Sequence, residues 1–108
     1  MVIGKVGVML KSGLVVRLEA APGKEAEVER MLTALLTKVQ REAGTRVWMA
    51  ARMSPGRFAV FSGFRDATAR NAHLAGEVAA RLQQSGEGLL AGPPVLEDVE
   101  VLASKLPR

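Results

Sequence analysis

Leu14 to Ala20 alternates, with Leu14, Val16, Leu18 and Ala20 on one side and Val15, Arg17 and Glu19 on the other, which predicts a strand. Ala21-Pro22-Gly23 ends it. Lys24 to Glu42 changes period. Val28, Met31, Leu32, Leu35, Leu36 and Val39 recur at steps of three and four and form one helical stripe. Glu25, Glu27 and Glu29 lie near the positive end of its dipole, and Lys38 and Arg41 near the negative end. Gly44 is expected to close this helix in a left-handed conformation. Thr45 to Met53 alternates again. A turn at Ser54-Pro55-Gly56, with Gly56 free to take positive φ, joins it to a third strand over Arg57 to Phe64, giving a hairpin. Asp66 suits an N-cap for an Ala-rich helix running from Ala67 to about Gln84, kinked at Gly76. Gly86 to Pro94 is expected as loop and Val95 to Ala103 as the last strand.

The order β-α-β-β-α-β predicts an α+β, ferredoxin-like sandwich: a four-stranded antiparallel sheet with its helices on one face. Residues 13–104 form this single domain, and residues 1–12 are expected as a tail or an extra edge strand. Both sheet faces read as apolar. Val47 and Met49 oppose Trp48 and Ala50, and Ala59 and Phe61 oppose Phe58, Val60 and Phe64. Two helices cannot cover two faces, and apolar surface left wet forfeits about 25 cal/mol per Å². The expected solution is a homodimer, with a second copy of the sheet packed face to face about a two-fold axis.

Composition narrows the function. The chain has 108 residues, too few for two domains, and 15 Lys+Arg against 11 Asp+Glu give a net charge of +4. Arg46, Arg52, Arg57, Arg65 and Arg70 concentrate that excess, against Asp66 alone among the acids of the same stretch. With no basic tract and no Tyr, nucleic acid is not an expected partner. The absence of Cys excludes disulfides, thiolate metal sites and cysteine nucleophiles, and a single histidine, His73, excludes multi-histidine metal sites. The apolar run Val8-Met9-Leu10 is too short for a signal segment or membrane span, so a cytoplasmic protein without membrane contact is expected. Ser62, His73 and Asp66 are triad types, but no Gly-x-Ser-x-Gly elbow surrounds Ser62.

Short motifs in order resemble a known family. Gly13 to Leu18, then Pro22-Gly23-Lys24 opening a helix, look like the start of an antibiotic biosynthesis monooxygenase domain. Gly44 followed by Trp48, Arg57-Phe58 after a turn, and Phe64-Arg65-Asp66 leading to Ala72-His73-Leu74 fit its later segments, so the resemblance runs from about Gly13 to Leu102. It implies a dimeric α/β barrel and cofactor-independent oxygenation of small aromatic or quinol-like substrates. Phe64 stands where the family often has Trp, and Ser62 where an acid is common. The haem-degrading relatives use an Asn on the first strand, whereas the sole Asn here is Asn71.

Oxygenation without metal or flavin needs a base, a dry pocket for an electron-rich ring, and a group that stabilises reduced oxygen. His73 is the expected catalytic base. Trp48, Phe61 and Phe64 are candidates for holding a flat substrate, and Arg52 and Arg65 for stabilising a phenolate or peroxide. The competing expectation is a non-catalytic dimer that binds a small apolar anion.

Overall fold

The computed structural model describes residues 9–107, so most of the segment 1–12 lies outside the described residues. The elements are β1 (Ser12–Glu19), α1 (Glu25–Val39), β2 (Val47–Ser54), β3 (Arg57–Phe64), α2 (Ala67–Leu74), α3 (Glu77–Gly86) and β4 (Val95–Glu100). The strands form one antiparallel sheet in the order β2-β3-β1-β4, the α+β ferredoxin-like arrangement the pattern predicts. Lys11 prolongs β1: its N–H donates to the Phe64 carbonyl and its own carbonyl accepts from Val101, each at 3.0 Å.

Cross-strand register aligns side chains in rows, because directly opposed residues share a face. One row is Trp48, Ser62, Leu14 and Asp98, and the next is Ala50, Val60, Val16 and Leu96. This is the helix-covered face. Its buried Leu14, Val16, Leu18, Phe58, Val60 and Phe64 pack with Val28, Leu32, Leu35 and Val39 of α1 and Val78 of α3 into one core. The expected α1 stripe is one residue too wide, since Leu36 is 45% exposed. No helix of the described residues is long and apolar enough to cross a membrane.

The expected single helix over 67–84 is two helices. Asp66 caps α2, its Oδ1 accepting from the Ala69 N–H at 2.9 Å. At Gly76 the backbone turns extended (φ −94°, ψ −173°) before α3 begins. Glycine is needed here for space: a Cβ would stand 3.2 Å from the Ala72 carbonyl oxygen and 3.3 Å from Glu42 Oε2. After the break, α3 packs on α1 and α2 while its backbone stays clear of the strands. An ion pair of 3.1 Å between Lys38 and Glu77 fastens it to α1, and the lysine's hydrogen bond and charge hold the Glu77 carboxyl below its ordinary range. Two other glycine expectations are corrected. Positive φ occurs at Gly23 and Gly88, not at Gly44 or Gly56. A Cβ at Gly44 would meet Ala69 Cβ at 3.4 Å, an ordinary contact, so neither φ nor space demands glycine there.

The other face carries Val47, Met49, Ala51, Ala59, Phe61, Val15 and Val99, and no helix of the described residues lies over it. Met49, Met53 and Val95 are each more than half exposed. The Arg17–Glu97 pair, at 2.8 Å, crosses this face, and Glu19 and Arg57 lie opposite each other at its hairpin end. The arginines that cluster in sequence separate in space. Arg46 and Arg65 flank one end of the β2–β3 hairpin, Arg52 and Arg57 the other, and Arg70 lies on α2 with its Nε 3.6 Å from Asp98.

Burial sets the stability map. Phe64→Ala empties a fully buried position and is expected to cost about 3–5 kcal/mol, whereas Leu36→Ala is expected to stay within about 0.5–1 kcal/mol. Urea titration of the two variants checks the contrast.

Candidate functional site

Because α3 stands away from the strands, a partly open cavity of about 260 Å³ remains between them. Its floor is the sheet: Trp48, Ser62 and Leu14 from one row, Val60, Val16 and Leu96 from the next. Val78, Ala79, Leu82 and Gln83 of α3 form the roof, and Leu32 and Leu35 of α1 one wall. His73 and Leu74 enter from the end of α2, and Pro93 and Pro94 from the loop before β4. That loop is pinned to the end of β1, with Ala21 N–H donating to the Leu89 carbonyl and Ala91 N–H to the Glu19 carbonyl, both at 2.8 Å. No Lys, Arg, Asp or Glu lines the cavity among the described residues.

His73 is 6% exposed and its orientation is fixed from behind. Nδ1 lies 2.6 Å from Glu42 Oε1, in the turn after α1. Thr45 Oγ1 donates to the same carboxylate oxygen at 2.8 Å and stands 3.3 Å from Nδ1. An ionised carboxylate only accepts, so Nδ1 is the donor in this pair, and the second nitrogen, Nε2, is the one free to act elsewhere. Phe64 supports the imidazole from the sheet side, with ring centroids 5.3 Å apart and planes tilted by 46°. The Gly76 backbone closes over Glu42 from the other side.

Of the residues singled out by sequence, His73 and Trp48 meet at this cavity. Phe64 lies behind His73, fully buried, and does not line it. Phe61 points from the opposite sheet face, because it is directly opposed to Met49 and Val15 rather than to Trp48. Arg52 shares the face of Trp48 but is engaged by Glu29 of α1 and lies over the Phe58 ring, 5.7 Å from its centroid. Arg65 is exposed in the bend between β3 and α2. Neither arginine lines the cavity.

Sequence reasoning missed Glu42, Thr45 and the special position of Ser62. Glu42 stands 31 residues from His73 along the chain and reads there only as the polar end of a helix. Nothing in the spacing of Glu42 and Thr45 around Gly44 points along the chain to His73. Ser62 is 1% exposed, lines the cavity, and its hydroxyl has no hydrogen-bond partner among the described residues. Glu42→Ala strips the buried imidazole of its acceptor and is expected to destabilise the fold by about 1–3 kcal/mol. Denaturant unfolding reads that loss, and Thr45→Val, which leaves the carboxylate in place, should cost less.

Comparison with known proteins agrees with this architecture. No protein-family model matches the chain, and no curated protein matches it. Among solved structures, a Nitrosomonas europaea protein of unknown function is 45% identical, with 94% of this chain and 99% of that one covered and a TM-score of 0.90. A Pseudomonas aeruginosa protein is 27% identical over 88% of this chain and 97% of its own, with a TM-score of 0.74. A Caulobacter crescentus protein provisionally named an antibiotic biosynthesis monooxygenase is 25% identical over 87% of this chain and 92% of its own, with a TM-score of 0.75. The chain thus belongs to one family with the Nitrosomonas europaea protein, and its fold is that of the antibiotic biosynthesis monooxygenase-like family.

Proposed function

We propose that the protein is a cytoplasmic, cofactor-independent monooxygenase that oxidises a small aromatic or quinol-like substrate in the cavity between α3 and the sheet. The observation that carries this reading is His73: a buried imidazole, tethered through Nδ1 to Glu42, that opens on an apolar cavity beside Trp48. A ring anchored through one nitrogen presents the other as a base in a fixed direction. Trp48 offers an aromatic face to a flat substrate.

In this mechanism His73 Nε2 takes a proton from the activated carbon of an anthrone-like substrate. The carbanion's electron pair reduces dioxygen by two electrons, a carbon–oxygen bond forms, and the hydroperoxide takes up the proton held on His73. Cleavage of the oxygen–oxygen bond, with loss of the second hydrogen from the same carbon, releases water and leaves a carbonyl. Both oxygen atoms and both hydrogens are accounted for. Glu42 is a positioning residue: its carboxylate stabilises the imidazolium that exists between the two proton transfers. Arg52, held by Glu29, and Arg65, outside the cavity, have no part in it.

Oxygen uptake with a panel of hydroquinones and anthrones tests this reading. Uptake is expected in the wild type, falling about 100-fold or more in His73→Ala. Glu42→Gln should lower kcat with little effect on KM. Ligand binding across the panel without oxygen consumption would replace the enzyme by a binding protein.

We further infer that two copies associate through the uncovered sheet face as a homodimer. Met49, Phe61 and Val99 supply an apolar surface that no helix of the described residues covers. This gives Phe61 a role in association rather than in substrate binding. Light scattering is expected to give twice the chain mass of 11.5 kDa, and Phe61→Glu to give the monomer.

A further inference from the structure

We propose that Ser62 determines ligand specificity: its buried hydroxyl is the hydrogen-bonding point that makes the cavity select uncharged hydroxyl- or carbonyl-bearing aromatics over hydrocarbons and over carboxylates. The inference rests on the cavity being the ligand site, as proposed above, and not on turnover.

The argument starts from an unpaired polar atom. A buried hydroxyl ordinarily finds a partner, because leaving it dry and unbonded is costly. Ser62 Oγ has none among the described residues, although Ser62 sits in mid-strand with Trp48 and Leu14 directly opposite. Ser62 lines the cavity floor while its Oγ is covered by its neighbours, so a rotation about χ1 is what would present the hydroxyl to a ligand seated there. An alanine would fill the same position without the cost of a dry, unbonded hydroxyl. A ligand that accepts or donates one hydrogen bond gives that hydroxyl a use.

The lining then sets the ligand's charge. Around Ser62 stand Trp48, Leu14, Val60 and Val16, and among the described residues no Lys or Arg lines the space, His73 being the titratable side chain that does. A carboxylate entering would lose its hydration with no lysine or arginine to offset it, and the Glu42 carboxylate already engages His73. Arg52, on the same face, is held by Glu29. A phenol or ketone keeps its neutrality and exchanges one hydrogen bond with water for one with Ser62. The competing sequence-based expectation of an anionic ligand is therefore not favoured. About 260 Å³ suits a compact aromatic of one to three fused rings.

Three ligands of one shape test this: 4-propylphenol, propylbenzene and 4-propylbenzoate, titrated calorimetrically into the full chain. The wild type is expected to bind the phenol about tenfold more tightly than the hydrocarbon, and the benzoate most weakly. Ser62→Ala should remove the phenol's advantage, leave propylbenzene unchanged, and raise the thermal midpoint of the free protein. A hydroxyl with a structural role would lower that midpoint instead. Undiminished phenol preference in Ser62→Ala, equal weakening of all three ligands, or tightest binding of the benzoate each overturns the proposal. Binding of none at millimolar concentration overturns both this proposal and the enzymatic reading. Hydroxyl-selective binding without oxygen uptake overturns the enzymatic reading alone.

Discussion

The interruption at Gly76 governs the architecture of the site. A continuous helix from Ala67 onward would lie along one line, carrying its C-terminal half wherever its N-terminal half pointed. Instead α2 presses His73 against Phe64, while α3 takes a separate direction along α1 and leaves space above the sheet. The same residue must be small for a second reason, since Glu42 Oε2 approaches where a side chain would begin. One glycine thus couples the shape of the cavity to the tether of its only imidazole.

Polarity is distributed sparingly around that space. The floor and walls are aliphatic apart from Trp48 and Ser62, and α3 contributes Gln83 at the roof. The charged partner of His73 is placed on the side away from the cavity, reached through the imidazole itself. Such an arrangement keeps a low-dielectric interior while fixing the tautomer of the ring, and in a dry site a correctly aimed acceptor has more effect than in water. The surface arginines answer to other partners, Arg52 to Glu29 and Arg70 to Asp98, and contribute to helix–sheet attachment instead.

The fold was legible because its signals are local and repetitive. Alternation over Leu14 to Ala20 and Arg57 to Phe64, and the three-four spacing from Val28 to Val39, correspond to real strands and a real helix. The misreadings concern backbone geometry. Gly44 follows a helix and so invites a left-handed cap, yet its φ is not positive and a Cβ there would make only an ordinary contact with Ala69. The site was legible in part. Trp48 and His73 are rare residue types whose chemistry stands out in any context. Phe61 was separable from Trp48 by parity once the hairpin register was known, since Trp48 pairs with Ser62. Glu42 and Ser62 were not legible, because a long-range hydrogen bond and an unsatisfied hydroxyl are properties of assembled neighbours and leave no period in the chain.

The position of Trp48 has a practical corollary. The chain contains one tryptophan and no tyrosine, and that indole lies on the cavity floor. Its ultraviolet emission therefore originates at one defined place, with no other indole to dilute it. Occupancy, drying or distortion of the hollow should register directly in the native protein's spectrum, without any dye or label.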